Sequence, residues 1–139
     1  MMSGTIEIVA ALIRDPAGRV LLVRKRGTTA FMQPGGKRDS GEDDVTALAR
    51  EIDEELGCRV VPDSIRRLGE FDAVSANEPG FRVRATLYET DVTGDIVARA
   101  EIDELIWIDP AAPADILLAP LTRDHVLPLA SRRPAAGAV

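Results

Sequence analysis

Two apolar runs, each about as long as a strand, open the chain. Residues 5–14 are rich in Ile, Val, Ala and Leu, residues 19–25 resume with Val20, Leu21, Leu22 and Val23, and Asp15-Pro16-Ala17-Gly18 between them is a turn cluster. Runs of this length around a Pro/Gly turn predict a β-hairpin buried on at least one face. A short strand at residues 31–34 is expected to end at the Pro34-Gly35-Gly36 turn. From Asp43 the period changes. Val45, Leu48, Ala49, Ile52 and Leu56 fall at i, i+3, i+4, i+7 and i+11, the stripe of an amphipathic helix packed on a core. Ser40 with Asp43 or Asp44 offers capping and negative charge at its start, and Gly57 supplies a stop.

Further on, a strand is expected around residues 68–74, and alternation over residues 81–92 predicts another. Phe81, Val83, Ala85, Leu87 and Glu89 would share one face, with Arg82, Arg84, Thr86, Tyr88 and Thr90 on the other. Residues 77–80 (Asn-Glu-Pro-Gly) form the loop between these two strands. Residues 102–108 read as a short strand carrying Trp107, closed by Asp109-Pro110. The remainder is helical in tendency, interrupted by Pro113, Pro120 and Pro128, with residues 131–139 expected to fray. Strand, strand, helix, several strands and a final helix predict an α/β chain with helices around a mixed or mainly antiparallel central sheet.

Composition narrows the classes. At 139 residues the chain is expected to be one domain, 1–139, with a core over about 5–130. A hydrophobic fraction of 45% and a charged fraction of 29% exclude disordered and fibrous classes. The net charge of -6 argues against a general nucleic-acid or anionic-membrane binder. The single cysteine, Cys58, excludes an intramolecular disulfide and suits a reducing compartment. Without a signal-like start or an apolar stretch of membrane-spanning length, a soluble cytoplasmic protein is expected.

The helical segment carries the candidate chemistry. On a wheel of about 100° per residue, Glu51, Glu54 and Glu55 form one acidic face, centred away from the apolar stripe. Like charges at this spacing repel by a few tenths of a kcal/mol per pair. Basic relief looks thin, since Arg50 precedes Glu54 in the weaker orientation and Arg59 lies beyond Gly57. The face is therefore either a solvated acidic surface or a platform for a hard divalent cation. Clustered oxygen ligands suit Mg²⁺ or Mn²⁺ rather than zinc, and with one histidine and one cysteine in the chain a nitrogen and sulfur zinc site is disfavoured.

Residues 36–58 read Gly36, five residues, Glu42, seven residues, Arg50-Glu51-Ile52, one residue, Glu54-Glu55, one residue, Gly57-Cys58. This spacing resembles the signature of the Nudix hydrolases, with Cys58 where an aliphatic residue is usual. A free cysteine behaves as a small hydrophobe, so Cys58 is read as core. The likeness extends over roughly residues 5–130 and implies a Nudix-like α/β/α sandwich with a central mixed sheet. It also implies hydrolysis of a pyrophosphate bond in a nucleoside diphosphate derivative, with Mg²⁺ or Mn²⁺ as cofactor. Carried over residue by residue, it implies Gly36, Glu51, Glu54, Glu55 and Glu42 around metal, with Glu51, Arg50 and Glu54 as the catalytic group. Of Glu101 and Glu104, which precede Trp107, Glu101 ranks first as the further carboxylate expected at the ions; the alternative is that both are ordinary strand-edge charges.

Motifs for dinucleotide cofactors, dinucleoside polyphosphates and ADP-ribose are missing, so a (deoxy)nucleoside triphosphate, oxidised or not, is the leading substrate. Hydrolysis of ADP-ribose or another nucleotide sugar, a non-hydrolytic nucleotide-binding module and an isoprenyl diphosphate isomerase are the alternatives; intact Glu51, Glu54 and Glu55 favour an enzyme. Arg24, Arg26, Lys37, Arg82 and Arg84 are candidates for phosphates, and Gln33 for a base or ribose. Phe31, Phe81, Tyr88 and Trp107 are candidate stacking rings. Expected partners are a small-molecule nucleotide and, at most, a second copy of the chain (monomer or homodimer), with neither nucleic-acid polymer nor membrane.

Overall fold

A computed structural model describes residues 3–113 and 115–132 of the protein. In chain order its elements are β1 (Gly4–Leu12), β2 (Val20–Lys25), β3 (Gly35–Gly36), helix α1 (Asp44–Leu56), β4 (Arg59–Val60), β5 (Arg66–Val74), β6 (Phe81–Glu89), β7 (Val92–Thr93), β8 (Ile102–Ile108), a π-helical turn (Thr122–Val126) and helix α2 (Leu127–Arg132). The main sheet has the order β3-β1-β6-β5; β1 and β6 run parallel, and the outer pairings are antiparallel. β2 with β8, and β4 with β7, form two smaller antiparallel pairs.

Apolar residues on both faces of β1 make it the middle layer. Val9, Ala10, Ala11 and Leu12 are each no more than 1% exposed. Ala10 and Leu12 pack with Leu22, Leu87, Val126 and Leu127 on the α2 side. Val9 and Ala11 pack with Leu21, Leu48, Ile52, Leu56 and Cys58 on the α1 side. The result is a mixed sheet between helices, the expected α/β/α arrangement, and Cys58 is buried in the core as expected. The predicted alternation of β6 holds in its buried half, with Ala85 and Leu87 toward α2 and Tyr88 toward α1.

The expected β1–β2 hairpin does not form. A bridge between Arg14 and Val20 and a bond from Leu21 N–H to the Ile13 carbonyl hold the turn, after which the strands diverge into different sheets. Unbroken apolar runs, rather than alternation, mark strands buried on both sides, and each then needs its own neighbours. The C-terminal region is helical only from about residue 120, and Ser131 and Arg132 belong to α2 rather than to a frayed end. The rest of the expected tail, residues 133–139, lies outside the described residues. Among the described residues no helix is long and apolar enough to cross a membrane.

Candidate active site

α1 is capped at its start by Asp43, whose Oδ1 accepts from the Thr46 N–H at 2.8 Å, and at its end by Gly57 in the left-handed region at φ 68°. Its buried side is Ala47, Leu48, Ile52, Glu55 and Leu56, while Val45 is 45% exposed. The stripe is thus rotated from the expected one, and the acidic face is not turned away from the core. Glu55 lies inside it at 3% exposure, Glu51 sits at the boundary with its side chain 15% exposed, and Glu54 reaches solvent.

The glycines of β3 permit this insertion. Gly35 lies so close to β1 that a Cβ would stand 2.2 Å from the Val9 carbonyl oxygen, and its φ of 150° also favours glycine. Its N–H, 3.0 Å from Glu55 Oε1, gives the buried carboxylate a hydrogen bond. Burial nonetheless pushes the Glu55 carboxyl up to about 7; Glu51 and Glu101 add to the rise, and the Gly35 N–H and Lys25 oppose it. At Gly36 a Cβ would fall 2.6 Å from the Glu51 carboxyl carbon. The missing side chain leaves room for that carboxylate. Burial also raises the Glu51 carboxyl, against the pull of Arg50.

Arg50 supplies the basic relief that the sequence concealed. Its Nε and Nη2 donate to the two oxygens of Glu42 at 2.7 and 2.8 Å, its Nη1 to Glu51 at 2.8 Å and to Glu54 at 3.4 Å, and its Nη2 to the Lys37 carbonyl at 3.0 Å. The forked bond from Arg50, with the Asp39 N–H, brings the Glu42 carboxyl down to about 2. The guanidinium stands amid the carboxylates, and among the described residues no three acidic, His or Cys side chains are placed to hold an ion. The donor chemistry still fits a hard cation: oxygen ligands only, a glycine where a side chain would crowd Glu51, and a buried Glu55 bonded to a single N–H.

A cavity of about 380 Å³ extends from these residues along β1. Gly35, Gly36, Glu51, Lys25, Lys37 and Glu101 line one part of it; Ile6, Ile8, Ala10, Met32, Val83 and Leu121 supply apolar wall. Gln33 and Thr122 also line it, as does the β5–β6 loop at Ser75, Asn77 and Glu78. Of the expected substrate residues, Gln33 and Lys37 therefore reach the cavity, and Glu101 meets Lys25 Nζ at 3.4 Å.

Arg24, Arg26, Arg82 and Arg84 are not part of the wall. Arg24 is held by Asp103, Glu104 and the Thr28 carbonyl. Arg26 secures the loop before Glu101: its Nη2 donates to the Ala100 carbonyl and its backbone N–H to the Glu101 carbonyl. Arg84 belongs to the alternation register opposite the cavity-lining Val83 and faces Glu70 at 3.9 Å. None of the four candidate aromatic rings lines the cavity: Phe31 is core, and the Tyr88 hydroxyl donates to Asp44 at 2.6 Å. Lys25 was the cation to choose within Arg24-Lys25-Arg26. A register shift between Arg24 and Lys25 re-aims the strand end, and sequence carries no sign of it.

A family model, the NUDIX domain, matches residues 5–129, and the chain belongs to the Nudix family. It is a hydrolase of phosphorus-containing anhydrides. It is similar to an RNA pyrophosphohydrolase of Halorhodospira halophila, 29% identical over 77% of this chain and 68% of that one. It also resembles an 8-oxo-dGTP diphosphatase of Haemophilus influenzae, 39% identical over 37% of this chain and 41% of that one. Among solved structures, the E. coli ORF135 protein superposes with a TM-score of 0.72 at 26% identity, covering 96% of both chains.

The buried Glu55 makes a pH-dependent prediction. Its folded-state value, about 7, exceeds the ordinary 4.5, so the folded protein holds the proton more tightly than the unfolded chain. This contribution to stability is complete below pH 4.5 and is lost as pH rises through 7. In chelator, Glu55→Gln is expected to gain up to about 3 kcal/mol over the parent between pH 5 and 8. Urea melts at both pH values read the difference, and an unchanged gap counts against a buried, titrating Glu55.

Proposed function

We propose that the protein is a divalent-metal-dependent pyrophosphohydrolase of a nucleoside diphosphate derivative, with a (deoxy)nucleoside triphosphate or its oxidised form as the preferred substrate. One observation carries the reading: a single cavity joins Glu51 and the glycine pair to an apolar wall large enough for a base. The names of the relatives, an RNA pyrophosphohydrolase and an 8-oxo-dGTP diphosphatase, agree on anhydride cleavage at a nucleotide. The net charge of -6 favours a free nucleotide over a polymer.

In this reading Gly36, through its carbonyl, with Glu51, Glu54 and Glu55 would hold Mg²⁺ or Mn²⁺, and Glu101 would join them from the cavity wall. The bound ion would neutralise phosphate oxygens and acidify water. Glu51 takes the proton of the attacking water, and Arg50 fixes its carboxylate by the bond at 2.8 Å. Glu42 in turn fixes Arg50 through both oxygens. Glu54, with the longest bond to Arg50 and its side chain 55% exposed, is the carboxylate most easily turned toward a ligand. Lys25 and Lys37 offset phosphate charge.

The test is release of phosphate and pyrophosphate from nucleoside triphosphates, ADP-ribose, a nucleotide sugar and 5′-triphosphorylated RNA, with Mg²⁺, with Mn²⁺ and with chelator. Metal-dependent turnover fastest on a free nucleoside triphosphate is expected. Faster cleavage of RNA or ADP-ribose replaces the substrate assignment, and turnover undiminished by chelator overturns the metal dependence.

A further inference from the structure

Gln33 is only 7% exposed, and its Nε2 is the one buried side-chain nitrogen or oxygen among the described residues without a hydrogen-bond partner. Its other amide atom is engaged: Oε1 accepts from the Thr122 hydroxyl at 2.9 Å. Thr122 is fully buried, and both residues line the cavity that also holds Gly35, Gly36 and Glu51. A buried donor without a partner forfeits its hydrogen bond to water, and such an atom in a folded protein calls for an explanation.

Thr122 also opens the π-helical turn, where its carbonyl accepts from the Leu127 N–H. A π turn is rare and is frequent at functional sites. Two independent irregularities, an orphaned amide and a widened helix turn, thus meet at one hydrogen-bonded pair on the cavity wall. Around them the wall is aliphatic. Met32 and Leu121 lie on it, and the flexible thioether can yield to let a ligand reach the amide.

We propose that Gln33, held by Thr122, is the specificity-determining donor of the cavity and selects nucleobases that present a carbonyl oxygen over those that present an amine. Resting on the proposed nucleotide-hydrolase function, this deepens it by naming the base class. A base carbonyl at purine C6 or pyrimidine C4 completes the bond that Nε2 lacks; an exocyclic amine there sets donor against donor and leaves both unpaired. The orientation seen here sets the polarity: Oε1 accepts from the Thr122 hydroxyl, which leaves the NH2 group as the unpaired donor, whereas an amide turned over would leave its oxygen unpaired and read the opposite class.

Inosine and adenosine nucleotides, like uridine and cytidine nucleotides, differ only at that position and at the adjacent ring nitrogen, and the Gln33 variants assign the preference to the amide. In the wild-type enzyme, ITP over ATP and UTP over CTP are each expected to show about 10- to 100-fold higher kcat/KM, carried mainly by KM. Gln33→Glu, which replaces the donor by an acceptor, is expected to abolish or reverse both preferences. Gln33→Leu is expected to level them, which serves if the glutamate variant does not fold. Calorimetric binding of IMP, AMP, UMP and CMP without metal reads the same preference without hydrolysis. If no triphosphate is turned over, the hydrolytic reading fails while this binding order still decides the present one. Equal affinities, or a preference for the amino bases in either matched pair, overturn the proposal.

Discussion

Replacing Glu51 by Gln is expected to lower kcat by about 10²- to 10⁴-fold, the usual cost of removing a positioned general base. Folding should be preserved. The change is isosteric, the new amide oxygen still accepts from the Arg50 Nη1 that now bonds Glu51 at 2.8 Å, and the site loses a partly buried negative charge whose proton affinity is already raised. Of the three helix glutamates, Glu51 alone lines the cavity. The same substitution at Glu54 should therefore leave the apo site less disturbed while still costing activity through a lost ion ligand. Steady-state kinetics beside thermal melts separate these effects, and full turnover by Glu51→Gln removes it from the mechanism.

The second large effect distinguishes two adjacent glycines. Gly35→Ala is expected to destabilise the protein by about 3 kcal/mol or more, because the new methyl group would meet the Val9 carbonyl at 2.2 Å and backbone cannot yield as a side chain does. Gly36→Ala meets only the end of a flexible side chain, the Glu51 carboxylate at 2.6–2.7 Å. Its stability should change by about 1 kcal/mol or less, while the displaced carboxylate lowers kcat by about 100-fold, as a misplacement of about 1 Å does. Denaturant melts and kcat on both variants give opposite orders of severity. A Gly36→Ala enzyme with parental kcat contradicts the role assigned to the space it fills.

Where local chemistry sufficed, sequence carried the structure. Asp43 and Gly57 bracket α1 because a cap and a left-handed stop are short-range matters, and the strand at residues 102–108 was legible from its turn residues. The box spacing pointed to the family because three of its acids, Glu51, Glu54 and Glu55, share one helix. What escaped depends on contacts distant in sequence. Whether β1 and β2 pair with each other or with β6 and β8 is decided by burial on both faces. Glu55 looks solvent-facing on a wheel, yet it is buried because Gly35 approaches from another strand. Arg50 looked weakly placed by helix spacing, and its principal partner, Glu42, precedes the helix altogether. The unpaired amide of Gln33 is visible only once Thr122, far along the chain, is beside it.

β1 has a further consequence as a ruler. Ile6, Ile8 and Ala10 lie along the cavity, and Ala10 pairs with Gly35. At about 3.3 Å per residue, Ile6 and Ala10 stand about 13 Å apart, an interval held on one side by nine parallel pairings with β6 and on the other by the glycines. A slip of one residue would turn every cavity-facing side chain toward α1. The separation between the acidic end of the cavity and its far end is thus a property of the scaffold. Adjusting which ligand fits falls to pieces outside that strand, such as the β5–β6 loop, Gln33 and the turn at Thr122.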